Sequence, residues 1–329
     1  MENFFEKLAR ISLKALFERI NNVDTTLRSD LAVEICNDIM KHNSSPDGIK
    51  CSRTRNDGLT IEEVVIENEK GARLSGKPVG KYLTVSTGKL WLDDAETFKE
   101  KVFAFRNVLR DFIAESGKNP SSVLVAGLGN ERITADAIGP ATVEKLIVTR
   151  HIKNERPSLF TQLGLFDLCA ATPGVLGQTG IESAVVIRGI SEKIRPEMIL
   201  AIDALASRDL GRLVNTIQLC NTGIRPGSGV GNARPALLPE EMGIPVISIG
   251  VPTVVDAATL AADAIGMFTH QKAQGDVIRD KWSKNGLNFF VTPKETDQII
   301  SVMAAFIGFG INLALNQELS YEDMLSLIG

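Results

Sequence analysis

Val-Leu-Val-Ala-Gly-Leu-Gly-Asn, residues 123–130, is a short apolar run ending in a glycine-rich turn, and the texture of the chain changes at this point. Downstream, further apolar runs at 169–172, 198–203, 216–219 and 246–251 alternate with turn clusters and helical stretches. Continuous apolar runs of this length read as strands buried on both faces, with helices between several of them. The expected architecture is α/β: a three-layer α/β/α sandwich around a largely parallel central sheet. In such sheets ligands bind beyond the carboxyl ends of the strands, so the loops after these runs are where chemistry is expected.

Upstream of residue 122 the pattern differs. Residues 60–67 and 81–86 alternate apolar and polar side chains, as in a small antiparallel β element at about 58–90. Residues 94–116 form a long amphipathic pattern with Phe98, Val102, Phe105, Leu109, Phe112 and Ile113 on one face. Residues 29–40 suit a short helix or strand, and 41–57 are largely polar. Near the end, 295–316 is again helical in period. At the front, Phe4, Phe5, Leu8, Ile11, Ala15, Leu16 and Ile20 recur at helical spacing over residues 3–20. That helix is either docked on the body or detachable, because the loop-like Asn21-Asn22-Val23-Asp24 follows it.

Composition narrows the chemistry. The 329 residues carry 36 Lys and Arg against 40 Asp and Glu, a net charge of −4 that gives no long-range pull toward nucleic acid or an anionic membrane. Charged residues interrupt the N-terminal 20, unlike a signal peptide, and no run of 18 apolar residues suggests a membrane span. A cytosol-like compartment with reduced thiols is expected from Cys36, Cys51, Cys169 and Cys220, which follow no pattern. The three His, at 42, 151 and 270, also lack metal-binding or triad spacing, so chemistry must be sought elsewhere.

Carboxylates are the remaining candidates. Asp136 lies just beyond the 123–130 run, ahead of a helix expected near Pro140, and either caps that helix or acts in catalysis. Arg132 stands where a third glycine would be needed, so the dinucleotide-binding fingerprint fails. Asp203 ends the otherwise apolar run Met-Ile-Leu-Ala-Ile-Asp, where a carboxylate must be paired or partly hydrated. Two carboxylates at neighbouring strand ends can split their titration, one holding a proton while the other deprotonates water. Such a pair performs acid–base hydrolysis without histidine.

Glycine-rich loops supply candidate binding groups. Gly174, Gly177 and Gly180 lie in Pro-Gly-Val-Leu-Gly-Gln-Thr-Gly, which can offer backbone N–H groups to an oxyanion or serve only as tight turns. Gly227, Gly229 and Gly231 lie in a second loop expected at the substrate's edge. Asp256, expected in a first helical turn after Pro252, reads as structural. No GxSxG is present to support a serine nucleophile.

Six segments, in order, resemble the spore germination protease family: Leu-Arg-Ser-Asp-Leu-Ala-Val-Glu at 27–34; Gly-Leu-Gly-Asn with Asp-Ala-Ile-Gly-Pro; Pro-Gly-Val-Leu-Gly-Gln-Thr-Gly-Ile-Glu; Ala-Ile-Asp-Ala-Leu-Ala; Thr-Gly-Ile-Arg-Pro-Gly-Ser-Gly-Val-Gly-Asn; and Gly-Val-Pro-Thr-Val-Val-Asp-Ala. The resemblance implies an atypical aspartic-type endopeptidase, cytoplasmic in the spore core, that degrades small acid-soluble spore proteins during germination. It implies a fold similar to the hydrogenase maturation proteases, essential carboxylates at Asp136 and Asp203, and no cofactor or metal. It also implies a homotetrameric zymogen whose partners include neither nucleic acid directly nor a membrane. Residues 1–26 occupy the place of a helical pro-segment, ahead of a single peptidase domain at 27–329. Ser29 and Ala135 depart from the Thr and Pro usual in the family. Rival readings are a metal-dependent maturation-type peptidase using the same carboxylates, with Asp256 as a third ligand, and a non-catalytic anion-binding α/β protein.

Overall fold

The computed structural model describes residues 29–42, 45–116, 119–225, 235–269, 281–282, 284–285 and 289–328. The expected pro-segment helix and the loop carrying Gly227, Gly229 and Gly231 lie outside them.

A nine-stranded sheet runs through the chain in the order β1-β2-β3-β7-β8-β6-β4-β5, with β9 (Phe290–Val291) also on β8. Its centre is parallel, as expected: β5 (Asp167–Ala171), β4 (Ser122–Gly127), β6 (Met198–Ser207) and β8 (Val246–Asp256). The antiparallel element is β1 (Ile49–Asn56), β2 (Leu59–Ile66) and β3 (Gly80–Ser86). It is no separate unit, because β7 (Thr216–Cys220) runs antiparallel to both β3 and β8 and joins it to the centre.

Alternation along the strands explains why helices cover both faces. Val123, Val125, Leu200, Ile202, Ile247 and Ile249 point to one side, into a core with α3 (Ala95–Glu115) and α11 (Thr296–Leu315). Leu124, Ala126, Ile199 and Ala201 point to the other, where α8 (Ser183–Ile194) supplies Ala184 and Ile187. On that second side, α1 (Ala32–His42) covers Val64, Ile66 and Tyr82. Each fully buried Leu or Ile contributes about 1.5–3 kcal/mol of transfer free energy, so two such faces commit the sheet to its layers. Between these elements lie α2 (Glu69–Ser75), α4 (Ile138–Val143), α5 (Arg150–Glu155), α6 (Pro157–Gln162), α7 (Leu176–Thr179), α9 (Pro239–Met242) and α10 (Ala257–Thr269), and α12 (Tyr321–Ile328) follows α11.

α11 is long and apolar enough to cross a membrane by composition, which the search for unbroken apolar runs missed. It is mostly buried, as a core helix is. Its fully buried Asn312 is satisfied: the side chain accepts from Ile147 N–H at 2.9 Å and donates to the Lys145 carbonyl at 2.8 Å.

Three expectations need correcting. The polar stretch 41–57 contains β1, an edge strand exposed beyond Ile49 and therefore without an apolar signature. The helix expected from Pro252 starts only at Ala257, because β8 continues to Asp256. Not all the thiols are free, since Cys36 on α1 is bridged to Cys51 on β1.

Candidate active site

The parallel pairing of β4 with β6 ends at Gly127 opposite Ile202, and the Leu128 N–H then donates to the Ile202 carbonyl at 2.8 Å. From this point β4 turns away while β6 runs on beside β8 as far as Ser207. Asp203 is the next residue of β6, so it stands where the sheet opens rather than at the strand's own end. It is buried, and its Oδ1 accepts from the Ala204 N–H at 3.0 Å.

Asp136 reaches the same corner from the other side. After β4 the chain makes a 3-10 turn, Thr134–Asp136, which leads into α4 and packs against β6 and β8. Two glycines allow that approach. A Cβ on Gly139 would lie 2.2 Å from the Leu128 carbonyl oxygen and 2.7 Å from that of Ile202. A Cβ on Gly129, at φ +113°, would lie 2.0 Å from the Asp136 carbonyl oxygen. Both aspartates therefore lie next to the Leu128–Ile202 hydrogen bond in the chain, Asp203 following Ile202 and Asp136 packed on Gly129.

Asp136 does not cap α4. Its Oδ2 accepts from the Asn130 N–H at 2.8 Å, which closes the turn on itself. Asn130 in turn reaches the first glycine-rich loop: its Oδ1 accepts from Gln178 Nε2 at 2.6 Å. Gln178 also accepts from the Val175 N–H at 3.2 Å, holding the short helix α7. Gly174 and Gly180 take positive φ on either side of α7, and Gly177 lies within it with open space around its Cα. The loop containing Gly174, Gly177 and Gly180 is thus tied to the Asp136 turn through one side-chain bridge.

A third strand of support comes from the segment just before α1. Asp30 bonds Ala206 of β6 twice: its N–H donates to the Ala206 carbonyl and its Oδ2 accepts from the Ala206 N–H, both at 2.9 Å. Glu34 accepts from the N–H groups of Arg208 and Asp209 at 2.8 and 3.0 Å, and Ser29 donates to Glu34. Gln218 of β7 bonds the Ala32 N–H and the Asp30 carbonyl. This clasp, contributed by residues 29–34, grips β6 three residues beyond Asp203. Leu31, Ala32 and Val33 are buried beside it, but the bonds to Ala206 and Arg208 are polar, and apolar patterning does not signal them.

Asp256 sits elsewhere in role: its Oδ1 caps α10, accepting from the Thr259 N–H at 2.9 Å. Among the described residues no three His, Cys, Asp or Glu side chains assemble as a metal-binding group. Of the thiols outside the disulfide, Cys220 is buried and hydrogen-bonded with Ser248. Burial pushes the Cys169 thiol up to about 11, so it is not a thiolate at neutral pH. His151 is exposed on α5.

The family model described as germination protease matches residues 28–274. Germination protease of Caldanaerobacter subterraneus subsp. tengcongensis is 40% identical over 92% of this chain and 98% of its own length. That of Clostridium acetobutylicum is 39% identical over 91% and 98%, and that of Bacillus pumilus 36% over 91% and 95%. Among solved structures, a [NiFe] hydrogenase maturation protease, HycI from Thermococcus kodakarensis, overlaps 63% of this chain and 98% of its own, at 15% identity and a TM-score of 0.35. The match by the family model and the identity to relatives along nearly their whole length agree: this chain belongs to the germination protease family and is a peptidase.

Proposed function

We propose that this chain is an aspartic-type endopeptidase that hydrolyses small acid-soluble spore proteins, with Asp136 and Asp203 as its catalytic pair. The observation that supports this most is the position of the two aspartates about the Leu128–Ile202 hydrogen bond, Asp203 following Ile202 and Asp136 packed on Gly129, in a chain that belongs to a family of germination proteases. One carboxylate takes a proton from water as it attacks the peptide carbonyl, and the other protonates the departing amine. The acid and base roles are assigned to the pair, not to either member. Backbone N–H groups of the loop holding Gly174, Gly177 and Gly180 are proposed to receive the oxyanion, and Gly227, Gly229 and Gly231, outside the described residues, to position the peptide. No cofactor is invoked.

The chain is further proposed to be made as an inactive homotetramer in the cytoplasm of the spore core and to remove about residues 1–26 from itself. The clasp of residues 29–34 supports this boundary, because it anchors the chain to β6 immediately after the proposed pro-segment. Asp136→Asn and Asp203→Asn, made separately, should each abolish cleavage of a small acid-soluble spore protein. Retained turnover in either overturns the pair. A chain beginning near Leu27 should cleave without a lag, whereas an inert truncated chain would favour the non-catalytic reading. Loss of activity to a chelator, restored by one divalent metal, would favour the metal-dependent reading instead.

A further inference from the structure

β8 carries one residue more than β6 across their pairing. Leu205 pairs with Pro252 and Ala206 with Val254, so Thr253 has no opposite residue. An extra residue of this kind kinks the strand and turns a side chain out of the regular alternation. Pro252, with no N–H to offer the ladder, suits the irregularity. The rotation aims Thr253 at the 3-10 turn: its Oγ1 donates to the Ala135 carbonyl at 2.6 Å, one residue before Asp136. Thr253 is fully buried, so no water competes for that bond. Its own carbonyl accepts from Thr292 Oγ1 at 3.0 Å, and Thr292 shares a hydrogen bond of 3.0 Å with Thr296 at the start of α11. The turn that presents Asp136 is therefore braced from behind by a line of three threonines that runs from β8 to α11.

We infer that Thr253 is a positioning residue for the Asp136 carboxylate, set by the bulge in β8 to hold the turn against the open corner of the sheet. This rests on the catalytic pair proposed above. The hydroxyl acts by fixing the peptide plane that precedes Asp136. Its removal should act on the chemical step and leave peptide binding alone.

The test uses the full chain, with cleavage of a small acid-soluble spore protein followed after self-processing, at a temperature where circular dichroism shows each variant folded. Thr253→Val, which removes the hydroxyl and keeps the branched shape, should lower kcat about 10- to 100-fold with KM within about twofold. Thr253→Ser should restore most of kcat, because it returns the donor. A folded Thr253→Val variant with kcat near wild type, or a Ser variant no better than Val, overturns the inference. Thr253→Ala gives the same readout if Val does not fold, and if neither hydroxyl-free variant folds, Thr253 is structural and the inference falls. Asp136→Asn and Asp203→Asn run alongside: turnover in either, or an inactive wild type, overturns the proposed function itself, whereas inactive Asp variants beside an active Val variant defeat only the role of Thr253.

Discussion

Replacing Gly129 by alanine should separate the geometry of the Asp136 turn from its composition. At φ +113° a side chain is strained, and the added Cβ would lie 2.0 Å from the Asp136 carbonyl oxygen and 3.2 Å from its Oδ1. Carbon–oxygen contacts settle near about 3.3 Å, so the turn has to withdraw by roughly 1 Å. It cannot do so freely, because Thr253 holds Ala135 and the Asn130 N–H holds the carboxylate. The backbone strain costs about 1–3 kcal/mol of stability. A displacement of about 1 Å in a reacting group lowers turnover on the order of 100-fold. Expected, then, is a folded protein with a lower urea midpoint, kcat for spore-protein cleavage down about 100-fold and KM little changed. A folded Gly129→Ala variant with wild-type kcat would refute the claim that this turn must sit where it does.

Asp30→Ala leaves the Ala206 N–H without its carboxylate and should cost about 1.5–3 kcal/mol in urea unfolding; an unchanged midpoint would mean that the clasp is idle. Gly189→Ala, in α8 with nothing within 4 Å of the new Cβ, should add about 0.5–1 kcal/mol without affecting turnover. Loss of activity there would mean that this helix face meets another molecule. Denatured without reductant, the chain should expose two reactive thiols, rising to four after reduction, because Cys36 and Cys51 are bridged. In the native protein Cys169 should alkylate slowly at pH 8 and faster as the pH nears about 11, where its buried thiol ionises; fast reaction at pH 8 would contradict its burial.

The layers and the buried position of Asp203 were legible because they depend on burial. A run such as residues 198–202 must be covered on both faces, and a charge placed directly after it is costly enough to need a reason. The parallel centre was legible, but the reversed direction of β7 was not, since a single apolar run reads alike both ways. A clue did exist at β7: only residues 208–215 separate it from β6, too few for the helical crossover that parallel strands require. β1 escaped notice because an exposed edge has no apolar face to announce it. The bulge was hidden in Gly-Val-Pro-Thr-Val-Val-Asp-Ala, where Pro252 suggests a helix start, while in the fold it marks a strand irregularity before four more strand residues. The clasp and the Gln178–Asn130 bridge join residues far apart in the chain through polar atoms, and local periodicity carries no information about either.

The placement of α11 bears on how the chain comes into being. This helix packs on α3, on α4 and on the Asp136 turn, yet at Thr296–Leu315 it follows every strand of the described sheet in the chain. A ribosome delivers the sheet and α3 long before the helix that seals them. Until that helix emerges the apolar side of the sheet is uncovered, and uncovered apolar surface on a nascent chain is prone to aggregate. The same delay extends to the site. The turn carrying Asp136, proposed above as catalytic, lacks its backing until α11 emerges, so a chain still short of that helix has not yet built the proposed site.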